Sequence, residues 1–214
     1  MPDLPTVRCD VDGPVTIVTI DRPAARNAVD PPTAAALAQA FRRFDADASQ
    51  HVAILTGAEG TFCAGYDLKQ TAAGHRGHRL ESGDGPMGPT RLMLGKPVIA
   101  AVEGHAVAGG LELALWRDVR VAARDATFGV YLVNRFVEPG QAFAESLRLA
   151  HELARLPQAA LRNDRRSALE QWSLDWDQAT LNEFRLGIAT VATGAPRAGA
   201  RRFAADVGRQ GKPA

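Results

Sequence analysis

Apolar and polar residues alternate along this chain in two rhythms. "GPVTIVTIDRP" sets Val15, Ile17 and Ile20 among threonines, between Gly13-Pro14 and Arg22-Pro23, and predicts a strand. "DPPTAAALAQAFRRFDAD" then places Leu37, Phe41 and Phe44 on one face at helical spacing, with Asp30 suited to the N-cap and Pro31 to the first helical position. "VAILTG", from Val52, is an apolar run ended by Gly57, the pattern of a buried strand. "GTFCAGYDLK" is a small-residue loop leading to another helix. Residues 74–90, rich in Gly, His, Arg and Pro, read as a mobile surface loop. "KPVIAAVEG" predicts a third strand closed by Gly104, followed by a helix over "GGLELALWRD", a strand at "VRVAA" and a fifth around "ATFGV". The repeating order of strand, strand and helix predicts an α/β fold with mostly buried strands.

From Gln141 onward the pattern turns helical. "QAFAESLRLAHELARLP" aligns Phe143, Leu147 and Ala150 or His151 and stops at Pro157. "DQATLNEFRLGIATVATG" carries Leu181, Phe184, Ile188 and Val191 on one stripe, with Asp177 as a candidate cap. "PRAGARRFAADVGRQ" predicts a last short helix, and Trp172 and Trp176 are expected to pack between the C-terminal helices. The arginines near 162–166 and 197–202 are expected on solvated helix faces or in oligomer contacts. The division this implies is an α/β core over residues 1–140 and a helical region over 141–214, with the boundary at the turn "EPG".

Composition narrows the classes. The chain has 214 residues, 46% hydrophobic and 23% charged, which suits one sizeable core and argues against disorder. A formal net charge of +1 gives no pull toward nucleic acid or an anionic membrane. Cys9 and Cys63 form neither a metal-ligand spacing nor a disulfide framework, and a reducing, cytoplasmic compartment is expected. No apolar signal-peptide region is expected in "MPDLPTVRCD", and no apolar run approaches the length of a membrane span. His75 and His78 lie in the Gly-rich loop without a third ligand, so no metal site is expected. No base is evident beside Cys63, which reads as a packing residue rather than a nucleophile.

Two segments put small residues where a strand meets a helix: Cys63-Ala64-Gly65 and Ala108-Gly109-Gly110. Such residues suit close helix–sheet packing. They also let a ligand approach the backbone, where first-turn N–H groups carry partial positive charge. Two such groups converging on one oxygen make an oxyanion hole, each donor contributing roughly 3–4 kcal/mol to a transition state. Glu112, just inside the second segment, stabilises a helix dipole by roughly 0.3–1 kcal/mol as a first-turn acid. As a catalytic acid/base it needs a second proton-transfer group. Both readings remain open from these residues alone.

"VTIVTIDRPAARNAVD", "VAILTGAEGTFCAGYDLK", "KPVIAAVEGHAVAGGLELALWRDVRVAARDATFG" and "LVNRFVEPG" stand in order, and together they resemble the crotonase superfamily, within it the enoyl-CoA hydratase/isomerase family. The resemblance implies a spiral of strand-strand-helix turns with a C-terminal helical layer that supports homo-oligomers, trimers or hexamers. It implies an acyl-CoA substrate, no tightly bound cofactor or metal, and a lyase of fatty-acid metabolism. It assigns the oxyanion N–H groups to Ala64 and Gly109, an acid/base role to Glu112, and the coenzyme side to Arg26, Ala64, Tyr66, Asp67 and Leu68. The family pattern has a second glutamate shortly after the strand matching "ATFG", then a Gly-rich segment and helices. Here Phe128-Gly129-Val130 runs directly into Tyr131-Leu132-Val133-Asn134-Arg135, and the place of that glutamate falls at or near Leu132, which cannot transfer a proton. The implied function is hydration of a trans-2-enoyl-CoA through an enolate, weakened by the missing glutamate. The alternative is a non-catalytic CoA-thioester-binding protein or a degenerate crotonase homologue.

Overall fold

In a computed structural model, residues 6–72, 83–128 and 135–194 are described. The chain divides into two compact units, residues 1–151 and 152–214. The first opens with β1 (Val7–Asp12) and β2 (Val15–Ile20), an antiparallel hairpin turning at Gly13. β1 is not among the strands expected from the sequence: Val7, Cys9 and Val11 do alternate with polar residues, but five of the six residues of this edge strand are exposed. α1 (Pro31–Ala46) begins as expected: the Thr33 N–H donates to the Asp30 carboxylate at 2.9 Å, and Leu37, Phe41 and Phe44 are buried. There follow β3 (Val52–Gly57), the short α2 (Leu68–Ala72), β4 (Val98–Val102), β5 (His105–Ala106) and α3 (Gly109–Leu115). β6 (Val119–Ala123), β7 (Thr127–Phe128), β8 (Arg135–Val137) and α4 (Ala142–Arg155) complete the series.

The main sheet has the order β1-β2-β3-β4-β6-β8 and is parallel except for its first pair. Val18, Leu55 and Ala100 stand side by side on one face, in a cluster with Phe41, Phe62, Met87 and Leu113. Ile17, Ile54 and Ile99 cross the other face. β3 and β4 are buried on both faces, which is why their sequences read as continuous apolar runs rather than alternating ones. A second tier of short parallel pairings joins β5 to β7, Cys63 to Ala106 and Val29 to Tyr66. This tier holds the two small-residue turns.

Two expectations about this unit need correction. The described part of the supposed surface loop, residues 83–90, is pinned rather than mobile: Gly88 N–H donates to Gly85 O at 2.8 Å, and Met87 is only 1% exposed. Asp84 also pairs with Arg42. Residues 73–82, with His75 and His78, lie outside the described residues. In α4 the buried face is Ala142, Ser146, Leu149 and Ala150, not the line through Phe143 and Leu147. The Glu103 carboxylate accepts from Gly140 N at 2.9 Å and from Ala142 N, and this cap fixes the rotation at which the helix starts.

The second unit pairs α5 (Gln158–Glu170) with α6 (Trp176–Ala192). Asp175, not Asp177, caps α6, accepting from Gln178 N at 2.8 Å; Asp177 lies in the first turn. Asn163 donates to Thr190 Oγ1 at 2.8 Å and to Leu186 O, and Asn182 donates to Glu170. α6 therefore meets α5 through the side bearing Asn182, Leu186 and Thr190. The stripe of Leu181, Phe184, Ile188 and Val191 lies on the opposite side of the helix and is exposed. Trp172 and Trp176 are exposed as well, contrary to the expectation that they pack between helices; the polar contacts of Asn163 and Asn182 occupy that seam instead. The helix expected over "PRAGARRFAADVGRQ" lies outside the described residues. Among the described residues no helix is long and apolar enough to cross a membrane.

One buried clamp fixes the start of both α1 and α2. The Arg22 guanidinium reaches Asp30 at 2.9 Å, Asp67 at 3.0 Å and the Ala28 carbonyl. Fully buried Asn27, at φ +56°, accepts from Arg22 N and donates to Ala58 O at 2.8 Å and Thr61 O at 2.6 Å. Burial pushes the Asp67 carboxyl up, but hydrogen bonds from Arg22 and from the Lys69 N–H outweigh it and hold its pKa below the ordinary value. A depressed folded pKa contributes stability that is full above the unfolded value, about 3.9, and is lost as pH falls through the folded one. Asp67→Asn is therefore expected to lower the unfolding free energy by roughly 1.5–3 kcal/mol at pH 7. The gap to the wild type should close in urea melts taken progressively below pH 4; a gap that stays constant down to pH 2 would refute this account.

Candidate active site

The two turns singled out in the sequence do come together. Val107–Gly110 is a tight turn closed by Gly110 N–H to Val107 O at 2.9 Å. Ala108 sits at its first central position with φ +49° and ψ −126°, the geometry of a type II′ turn and one that normally selects glycine. A Cβ on Gly110 would lie 2.2 Å from the Cys63 carbonyl oxygen, so this turn rests directly on the other. Gly65, at φ +95°, faces it: a Cβ there would lie 3.1 Å from both Gly109 N and the Ala108 methyl.

Gly109 is the first residue of α3, where a backbone N–H has no partner within the helix, and among the described residues it meets no other acceptor. Ala64 does not match its expected role. Arg26 adopts a left-handed conformation, φ +51°, that turns its carbonyl to Ala64, and the Ala64 N–H donates to it at 3.0 Å. That donor is spent inside the protein and is not an oxyanion donor in this structure. The next turn residue on the same strand is Tyr66. Val29 N–H donates to Gly65 O and Asp67 N–H to Val29 O, so parallel-ladder geometry directs the Tyr66 N–H away from Val29.

Glu112 lies three residues after Gly109, on the same side of α3. It is exposed, and its carboxylate makes no hydrogen bond among the described residues. Arg26 and Leu68 are exposed beside the 63–66 turn. Asp67, by contrast, gives its carboxylate to Arg22 and the Lys69 N–H, which makes it a support of the turn rather than a ligand-facing group. Cys63 is buried, and burial pushes its thiol pKa up to about 11, against the opposing effect of the Gly65 N–H. It is a packing residue, as expected.

No described carboxylate stands in for the missing one. Asp118 receives the Val98 N–H at 2.8 Å, and Glu138 pairs with Arg124 at 2.8 Å. Glu145 is held by Arg148 and Arg135, which outweigh its partial burial and draw its pKa to about 2. Glu103 is the α4 cap. His105 is exposed, and its backbone carbonyl holds Cys63 N. Leu132 lies outside the described residues. The pattern analysis missed Arg22, Asn27 and Met87. Of these only Asn27 carried a signal, since asparagine is enriched where φ is positive.

Ala108 stores strain of about 1–3 kcal/mol in its turn, against a cost of about 0.5–1 kcal/mol for the freer unfolded chain of a glycine. Ala108→Gly is thus expected to stabilise the protein by about 1 kcal/mol, a rise in Tm of about 2–4 °C by calorimetry. A lower Tm would mean that the turn is not strained.

Known proteins resemble the chain in sequence and in fold. The sequence profile of the enoyl-CoA hydratase/isomerase family matches residues 10–147. The chain is 45% identical over 125 residues to enoyl-CoA hydratase EchA19 of Mycobacterium tuberculosis, covering 55% of this chain and 46% of that protein. It is 45% identical over 121 residues to carnitinyl-CoA dehydratase of Salmonella enteritidis, covering 56% and 46%. The chain thus spans about half the length of the curated relatives it matches. Its fold is similar to that of enoyl-CoA hydratase EchA1 from Mycobacterium marinum, with a TM-score of 0.87 at 32% identity over 95% of this chain and 97% of that one. The matched motifs, the two-tiered sheet and the paired turns agree: the chain belongs to the enoyl-CoA hydratase/isomerase family.

Proposed function

We propose that the chain is an enoyl-CoA hydratase-like lyase that adds water to a trans-2-enoyl-CoA. The observation that carries this reading is the approach of Gly109, at the start of α3, to the Gly65 turn, with an uncommitted Glu112 carboxylate on the same side of the helix. The thioester carbonyl oxygen would accept the Gly109 N–H and the Tyr66 N–H, the latter in place of Ala64. Both donors strengthen as the oxygen becomes an enolate. Glu112 would take a proton from water as the water oxygen bonds to the β-carbon, then return that proton to the α-carbon. One carboxylate closes the proton balance, but it performs in sequence what two would share. The loss typical of a missing acid or base is ~10²–10⁴ in rate. The relatives, an enoyl-CoA hydratase and a carnitinyl-CoA dehydratase, are named for the two directions of an addition of this kind, which supports the reading.

Arg26, Tyr66 and Leu68 would line the coenzyme side, with Asp67 shaping that turn through Arg22. No tightly bound cofactor is required, because enolate stabilisation needs only N–H donors. The exposed apolar stripe on α6 supports a homo-oligomer, a trimer or hexamer. Two free cysteines support a cytoplasmic setting and the substrate class supports fatty-acid metabolism. A second reading, CoA-thioester binding without turnover, is favoured by one observation: Asp118, Glu138 and Glu145 are all committed elsewhere.

Hydration of crotonyl-CoA by the purified chain, followed by the loss of enoyl-thioester absorbance, tests both. Slow turnover is expected, reduced at least ~10²-fold by Glu112→Gln, with butyryl-CoA affinity by calorimetry held within a few-fold. Binding without turnover in either protein would establish the second reading. Neither binding nor turnover would sink both.

A further inference from the structure

Met87 is 1% exposed and lies against the proposed oxyanion donor. A Cβ on Gly109 would meet Met87 Sδ at 2.5 Å, Cγ at 3.0 Å and Cε at 3.1 Å, so the whole end of the thioether lies over the Gly109 Cα. The backbone that carries it cannot give way. Met87 occupies the tight turn Gly85-Pro86-Met87-Gly88, closed by Gly88 N–H to Gly85 O at 2.8 Å. A Cβ on Gly88 would lie 2.2 Å from Ala34 O in α1, and one on Gly85 would lie 2.0 Å from Thr90 Oγ1. The turn is wedged on both sides, and only the side chain of Met87 is free to adapt.

We propose that Met87 is a specificity-determining residue that sets the length of acyl chain the site accepts, an inference that rests on the proposed binding of acyl-CoA. The carbon of a thioester carbonyl has two substituents. With its oxygen at the Gly109 N–H, the sulfur and its polar coenzyme tail lead out past exposed Arg26 and Leu68. The apolar acyl group is left with the buried side, and there the side chain packed on Gly109 is Met87. A flexible thioether yields to a short chain by rotamer change and blocks a long one by its volume. Shortening it opens the buried side in proportion to the atoms removed.

Calorimetric titration with butyryl-CoA and octanoyl-CoA, on wild type and on Met87→Leu, Met87→Val and Met87→Ala, tests this. The wild type should bind the four-carbon thioester more tightly. The ratio of octanoyl to butyryl affinity should rise in the order Leu, Val, Ala, by about tenfold or more at Ala. Leu, of similar volume, should stay within about threefold of the wild type. The graded series keeps the test decisive if the Ala variant fails to fold, because Val alone must then move the ratio. An unchanged ratio in the variants, with both thioesters still bound, would overturn the role of Met87 and leave the proposed function standing. A wild type that binds neither thioester would overturn the proposed function itself, and this inference with it.

Discussion

The site depends on one backbone contact, the seating of Gly110 on the carbonyl of Cys63. A side chain on Gly110 would place its Cβ 2.2 Å from that oxygen, well inside any tolerable distance, so the two turns approach only because that atom is absent. The contact acts through the chain in both directions. It fixes the angle at which α3 leaves the sheet, and so where the Gly109 N–H and the Glu112 carboxylate point. It also fixes the 63–66 turn, whose other side is held by the parallel pairing of Tyr66 with Val29. The Arg22 clamp closes the circuit by tying Asp67, one residue further on, to the start of α1. Every group that the proposed reaction would offer to a thioester therefore hangs on backbone geometry, and the other side chains appear mainly as braces.

That division explains which parts were legible in the sequence. Strands β2, β3, β4 and β6 and helices α1 and α3 were readable because burial writes itself as apolar runs and helical spacing. The small-residue turns were readable because a close backbone approach requires residues without bulk. The donor within the first turn was not readable. Ala64 and Tyr66 are neighbours of one glycine, and which N–H is spent depends on where the Arg26 carbonyl points, a fact set by a left-handed φ that arginine does not announce. The faces of α4 and α6 were misjudged for a related reason. An apolar stripe states which side of a helix avoids water, but a cap from Glu103 or a polar seam from Asn163 can choose a different side to pack. Met87 was read as part of a mobile loop because Gly and Pro mark turns without saying whether a turn is buried.

The same logic sets the chemistry that one carboxylate can do. A proton taken from water and returned to the α-carbon needs both atoms within reach of a single oxygen pair, and Glu112 stands only one helical turn from the group that would hold the enolate. Its exposure lets water reach it without a channel. That same exposure leaves its charge shared with bulk solvent, where electrostatic interactions are weakest. The enolate end of the proposed reaction would be held by backbone that is already ordered and would need no rearrangement as charge develops. On the proposed reading, rigidity lies at the carbonyl and proton transfer would fall to the single exposed side chain of Glu112. In such a site preorganised donors on the turns would supply most of the barrier reduction, and the acid/base residue would set how much of it is realised.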